Sequence, residues 1–188
     1  MSMMTEAPPA GRIRAAWVAA HAPAAGVPRW ALVAAYAVPL TVLPSSVWRI
    51  AVCTFHAPIM RGDLGSALGS SGRPGVPLGL YVILLSIVSE LLAFTAVGLV
   101  SAWGEVVPRW IPLIGGRRVA PLAAVVPAAL GATALLLLTI PNARGFGVAP
   151  DAPKGLALVV MNACYAPLLL WGPLLAVVTV SYYRRRTR

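Results

Sequence analysis

Residues 78–103 read LGLYVILLSIVSELLAFTAVGLVSAW, and residues 104–118, which follow directly, read GEVVPRWIPLIGGRR. The first stretch is apolar over more than the roughly 20 helical residues that cross a bilayer, with a single carboxylate, Glu90, near its middle. An ionisable group at bilayer depth costs on the order of 3 kcal/mol on insertion scales, so it turns toward a partner or a wet cavity rather than lipid. The pattern predicts a membrane helix whose carboxylate tells the neighbouring spans where to pack.

Composition agrees. Of 188 residues, 59% are hydrophobic and 11% charged, and the mean hydropathy of +0.82 lies outside the range of a soluble domain of this size. The net charge of +10 does not point to nucleic acid, because the basic residues sit between and beyond apolar stretches rather than on one folded face. They fit topology and anionic lipid headgroups better. Cys53 and Cys164 both fall inside apolar stretches without a Cys-x-x-Cys, which reads as two small buried hydrophobes. Cys53 and His56 are spaced i, i+3 and could join Cys164 around a metal, but no carboxylate lies near them in sequence to orient such a site. No metal and no cofactor are expected.

Working outward, the first span covers about residues 30–58, long enough that it must tilt, bend or leave the hydrocarbon. Pro39 and Pro44 each remove a backbone donor, and Ser45 and Ser46 are placed to bond the freed carbonyls. Residues 61–77 are rich in Gly, Ser and Pro, the composition of a loop. The second span is about 78–103, ending between Gly98 and Trp103. The third, about 119–140, has no ionisable group and offers Gly131 and Thr133 as small surface for a neighbouring helix, so it is expected to be a packing helix. The fourth, about 155–183, contains Asn162, Cys164, Tyr165, Pro167, Gly172 and Pro173 and stops at three arginines.

Residues 1–28 are interrupted by Pro and Gly, carry Arg12 and Arg14, and form a basic, partly disordered lead in which residues 12–21 can lie as a short interfacial helix. The domain organisation expected is therefore a lead (1–28), a transmembrane domain (29–183) and a basic tail (184–188). Alternating spans put Arg12, Arg14, Arg29, Arg109, Arg117, Arg118, Arg184, Arg185, Arg186 and Arg188 on one side and Arg61, Arg73, Arg144 and Lys154 on the other, with Arg49 inside a span. Ten against four predicts an all-α bundle of four transmembrane helices with both termini in the cytoplasm, in the inner membrane of a bacterium.

Two groups of residues are candidates for a site. Glu90 lies about thirteen residues from the start of its span and Arg49 about ten from the end of its own. That places them within roughly one helical turn in depth, and they can pair, with Asn162 able to reach the same level. A tuned carboxylate there could carry a proton or a cation; a structural ion pair with Asn162 as polar glue is the more ordinary role. The segment containing Trp103, Glu105, Arg109, Trp110, Arg117 and Arg118 reads as a surface loop, its tryptophans dipping into the headgroups and its arginines facing phosphates. Catalytic motifs are missing: there is no phosphate loop or nucleophile elbow, and the five acidic residues fall in five different segments.

The loop motif Trp103-Gly104-Glu105-x-x-Pro108-Arg109-Trp110-Ile111-Pro112-x-x-Gly115-Gly116-Arg117-Arg118 resembles the hallmark of a family of small, uncharacterised bacterial integral membrane proteins with about four spans. The resemblance covers the second span to the start of the third, with residues 45–49 beside it. It implies the topology and no activity. The function expected is a non-enzymatic structural or accessory membrane protein, possessing a buried Arg/Glu cluster and binding lipids, a second copy or a partner membrane protein. A small proton- or cation-coupled transporter using Glu90 is the alternative, and a membrane enzyme acting on a lipid comes third.

Overall fold

The computed structural model describes residues 21–55, 77–106, 115–141 and 154–188. In chain order these form α1 (Arg29–Cys53), α2 (Leu78–Gly98), a 3-10 turn (Ala102–Gly104), α3 (Pro121–Thr139), α4 (Leu156–Tyr165), a 3-10 segment (Ala166–Leu170) and α5 (Trp171–Arg186). Among the described residues there is no strand, only two isolated bridges, Pro23 with Ser101 and Val106 with Arg118. The chain is all-helical, and four helical stretches are long and apolar enough to cross a membrane: Arg29–Cys53, Gly79–Gly98, Pro121–Thr139 and Leu156–Arg186.

Helix ends follow local chemistry. α2 stops at Gly98, five residues before Trp103, because the chain turns there and the Trp103 ring folds back over Gly98. Pro121 opens α3, where its missing N–H costs nothing and its fixed φ suits the first turn. The fourth span is not one continuous α-helix. Pro167 lacks the donor an α-helix would use, and the chain tightens into the 3-10 segment before α5 resumes with Pro173 in its first turn. At 31 residues this span outruns a hydrocarbon core of about 30 Å, so its last turn, with Arg184, Arg185 and Arg186, emerges from it.

α1 runs through both of its prolines. The hydroxyls beside them do not serve the carbonyls that the prolines leave free, which belong to Ala35 and Leu40. Ser45 donates to the Val42 carbonyl at 2.8 Å and Thr41 to that of Val38 at 2.7 Å, back-bonds of the kind common for Ser and Thr in membrane helices. Ser46 is turned toward a different helix.

The helices pack in the order α2, α1, α5, α3, with α1 and α5 central. Ala31, Ala35, Val38 and Val42 make one buried stripe on α1, facing Ala93, Ala96 and Val100 near the end of α2 and Val178 and Tyr182 of α5. Lipid tails are as apolar as leucine, so helices gain little by burying large side chains; small residues that let backbones approach are what hold them. The large side chains, including Leu84, Leu91, Leu122, Leu130 and Leu137, point outward. α3 presents most of its surface outward. Its Gly131 and Ala132 face α5, while Thr133 is exposed and bonds its own helix at Ala129. α5 also approaches α3 closely at Gly172, where an added Cβ would stand 3.1–3.3 Å from Leu136.

Candidate functional site

The densest polar arrangement lies at the arginine-rich end, around Glu105. The turn that positions it depends on two glycines. A Cβ on Gly104 would collide with the Gly98 carbonyl, and one on Gly98 would sit 2.5–2.9 Å from the Trp103 ring. Only with both bare can the chain double back, so that Glu105 lies under the end of α5. There Arg185 Nη2 meets Glu105 Oε1 at 2.9 Å and Arg186 Nη1 meets Oε2 at 3.8 Å.

The same two guanidinium groups hold backbone. Arg185 donates through Nη2 to the Leu99 carbonyl at 3.1 Å and through Nη1 to the Ala25 carbonyl at 3.4 Å. Leu99 caps α2, so a cation meets one of the carbonyls left unpaired where a helix carries partial negative charge. Arg186 donates to the Val119 carbonyl at 2.8 Å, just before α3. Tyr182, almost fully buried, lies beneath both, its ring 5.7 Å from Arg185 Cζ and 6.0 Å from Arg186 Cζ, within reach of a cation–π contact. Its hydroxyl faces the Gly104 carbonyl at 3.4 Å.

Backbone bonds close the knot. Ala24 donates to the Val100 carbonyl at 2.9 Å, Ala102 to that of Ala22 at 3.0 Å, and Val119 to that of Glu105 at 2.9 Å. The described end of the lead, residues 21–28, is thus docked beside α2, with Ala24 buried. Four segments remote in sequence meet at Glu105: the lead, the end of α2, the start of α3 and the end of α5.

Trp103 and Glu105, expected on the headgroup surface, are therefore turned toward the chain. Arg117 and Arg118 are exposed, as a role facing phosphates requires, and Arg109 and Trp110 lie outside the described residues.

The second arrangement is the seam between α1 and α2 in the opposite half. Glu90 is half-buried, and its Oε1 accepts a 3.4 Å hydrogen bond from Ser46, one turn along α1 from Arg49. Arg49 is within electrostatic range of Glu90, but among the described residues the ion pairs within 4 Å are those of Glu105. Its Nε is buried without a hydrogen-bond partner, as is the hydroxyl of Ser86 one turn before Glu90. Asn162 lies on α4, half-buried and bonded, and α4 packs on α1. Tyr165, one turn beyond Asn162, is also within electrostatic range of Arg49, so α2 and α4 each approach α1 near Arg49. Cys53 and Cys164 are free thiols, the first buried; His56 lies outside the described residues. No three metal-ligating side chains gather among those described.

Sequence reasoning missed Arg185, Arg186 and Tyr182, reading the arginines as topology and headgroup contacts. A signal was present. Glu105 is the one acid in the loop between the second and third spans, facing a triple arginine at the same end, with Tyr182 three and four residues before Arg185 and Arg186, on one helical face. The chain matches no family model, no curated protein and no solved structure.

Proposed function

We propose that this is a non-enzymatic structural or accessory protein of a bacterial inner membrane, belonging with the small four-span proteins that its loop motif resembles. Both termini and the Glu105 knot lie in the cytoplasm on this reading. The observation that carries it is the use made of the carboxylates: both of those described, Glu90 and Glu105, are engaged within the chain, and the better held one joins four segments together. A carboxylate paired with two cations of its own chain, as Glu105 is, supports a scaffold role. The outward apolar faces of α2 and α3 suit lipid, a second copy or a partner helix.

In proteoliposomes loaded with a pH-sensitive dye, the protein is expected to show no proton flux with or without added amines, and cross-linking in membranes should trap a second copy or another membrane protein at α2 or α3. Flux that vanishes in Glu90→Gln would replace this reading with a transporter. One observation favours that second reading: the seam around Glu90 holds two buried polar atoms without partners, Arg49 Nε and Ser86 Oγ, the kind of group that an entering ion or substrate can satisfy. For the orientation, reporter fusions after Ser70 and Gly147 should read as external and those after Gly115 and Arg188 as cytoplasmic.

A further inference from the structure

A groove of about 680 Å³ runs along the flank of α5 at the arginine-rich end, between that helix and the start of α1. Its floor on α5 is one stripe, Val177, Val180 and Ser181, then Arg184, with Arg188 just past the helix end. Intervals of three and four residues keep these on a single face, and the face changes from apolar to cationic over about 10 Å at 1.5 Å per residue. Trp30 forms the opposite wall, about half exposed. Among the described residues no acidic side chain lines the groove. Arg185 reaches its edge but is already held by Glu105, whereas Arg184 and Arg188 are exposed; no ion pair within 4 Å joins either to a described residue.

We infer that this groove binds one anionic phospholipid, with the phosphate between Arg184 and Arg188, the glycerol region against Trp30 and Ser181, and an acyl chain along Val177 and Val180. An ordered change from hydrocarbon to cation along the membrane normal is the pattern a phospholipid presents in reverse. An aromatic wall at the change is the usual place for an interfacial tryptophan. The chain's own lead is a poor occupant: residues 1–20 carry Arg12 and Arg14 against Glu6, a net positive segment that the arginines repel. The groove borders the Glu105 knot at Arg185 but offers its own two cations, Arg184 and Arg188, so it stands whether or not the accessory role does.

The test uses the full chain in phosphatidylcholine vesicles doped with brominated phosphatidylglycerol or brominated phosphatidylcholine, reading tryptophan quenching. The brominated anionic lipid should quench at on the order of tenfold lower mole fraction than the neutral one. The signal of Trp30 is read as the difference between wild type and Trp30→Phe, since the chain has six tryptophans, and its excess should disappear in the double variant Arg184→Gln/Arg188→Gln, which removes the cations. Both arginines are exposed, so the double variant should keep the wild-type melting temperature, which is measured alongside. Equal quenching by the two lipids overturns the inference, as does an excess that survives the double variant. Loss of the excess on adding millimolar inorganic phosphate would assign the cations to a free anion instead. A Trp30 dark to both lipids would mean that protein covers the groove, which also overturns it.

Discussion

Two carboxylates divide the molecule between them. Glu105, at the arginine-rich end, takes two guanidinium groups and anchors four chain segments; Glu90, at bilayer depth, takes one hydroxyl at 3.4 Å with a guanidinium nearby but unpaired with it. The carboxylate in the costlier place is the more weakly held. At the end of the bundle, long arginines can bend over the helix termini while keeping part of each guanidinium near water, so the charges pair at modest desolvation cost. The charged contacts therefore concentrate at one end, and the seam in the opposite half is held by a single long hydroxyl bond.

The largest test of that contrast is steric. Gly104→Ala drives a Cβ into the Gly98 carbonyl, a backbone clash that no rotamer relieves, so the turn presenting Glu105 must open. The expected loss is about 3 kcal/mol or more of stability in detergent, seen as a large drop in melting temperature or as failure to purify. A near-neutral Gly104→Ala would show that the turn, and the knot with it, is dispensable. Next comes the ion pair. Glu105→Ala and Arg185→Ala should each cost about 2 kcal/mol, less than the figure for a fully buried pair because both partners keep some exposure. The double variant should cost clearly less than the sum of the two, and simple additivity would mean that the contact contributes nothing.

Why the sequence disclosed one carboxylate's importance and not the other's is a matter of range. Hydropathy is local, so the four spans and the oddity of Glu90 are legible from neighbours along the chain, although the second span read as far as Trp103 and its helix stops at Gly98. The knot is not local. Glu105 and Arg185 are 80 residues apart, and an arginine that ends a membrane span looks the same whether it faces phosphate or folds back onto a carboxylate. Gly98, Trp103 and Gly104 were visible as residues, yet the turn they make, backbone passing against backbone, exists only once the chain has folded. In the fourth span Pro167 and Gly172 were visible too. What they do, one breaking the helix into a 3-10 segment and the other admitting Leu136, depends on where α3 packs.

That last contact gives a smaller effect. Gly172→Ala should cost about 1 kcal/mol, since two of the three atoms it meets belong to the flexible Leu136 side chain, and Leu136→Ala should recover part of the loss in the Gly172→Ala background by making room. A cost as large as that of Gly104→Ala would place a second rigid point in the bundle, away from the arginine-rich end.

The smallest effect is expected where the sequence placed the most weight. Ser46→Ala removes the one hydroxyl that Glu90 Oε1 is seen to accept from, and a bond of 3.4 Å sits at the weak end of what counts as one, so the loss should be about 0.5 kcal/mol. Arg49→Leu and Glu90→Leu should likewise couple by no more than about 0.5 kcal/mol in a double-variant cycle, against a clearly larger value for Arg185 with Glu105. Both measurements are thermal melts of the same detergent-solubilised protein, so they compare directly. If Ser46→Ala instead cost as much as breaking the Glu105 pair, Glu90 would have to be held charged within the bundle and dependent on that single donor. Glu90 would then be the organising centre of the fold, and the Arg49 and Ser86 atoms left without partners beside it would mark the place where a ligand completes the network.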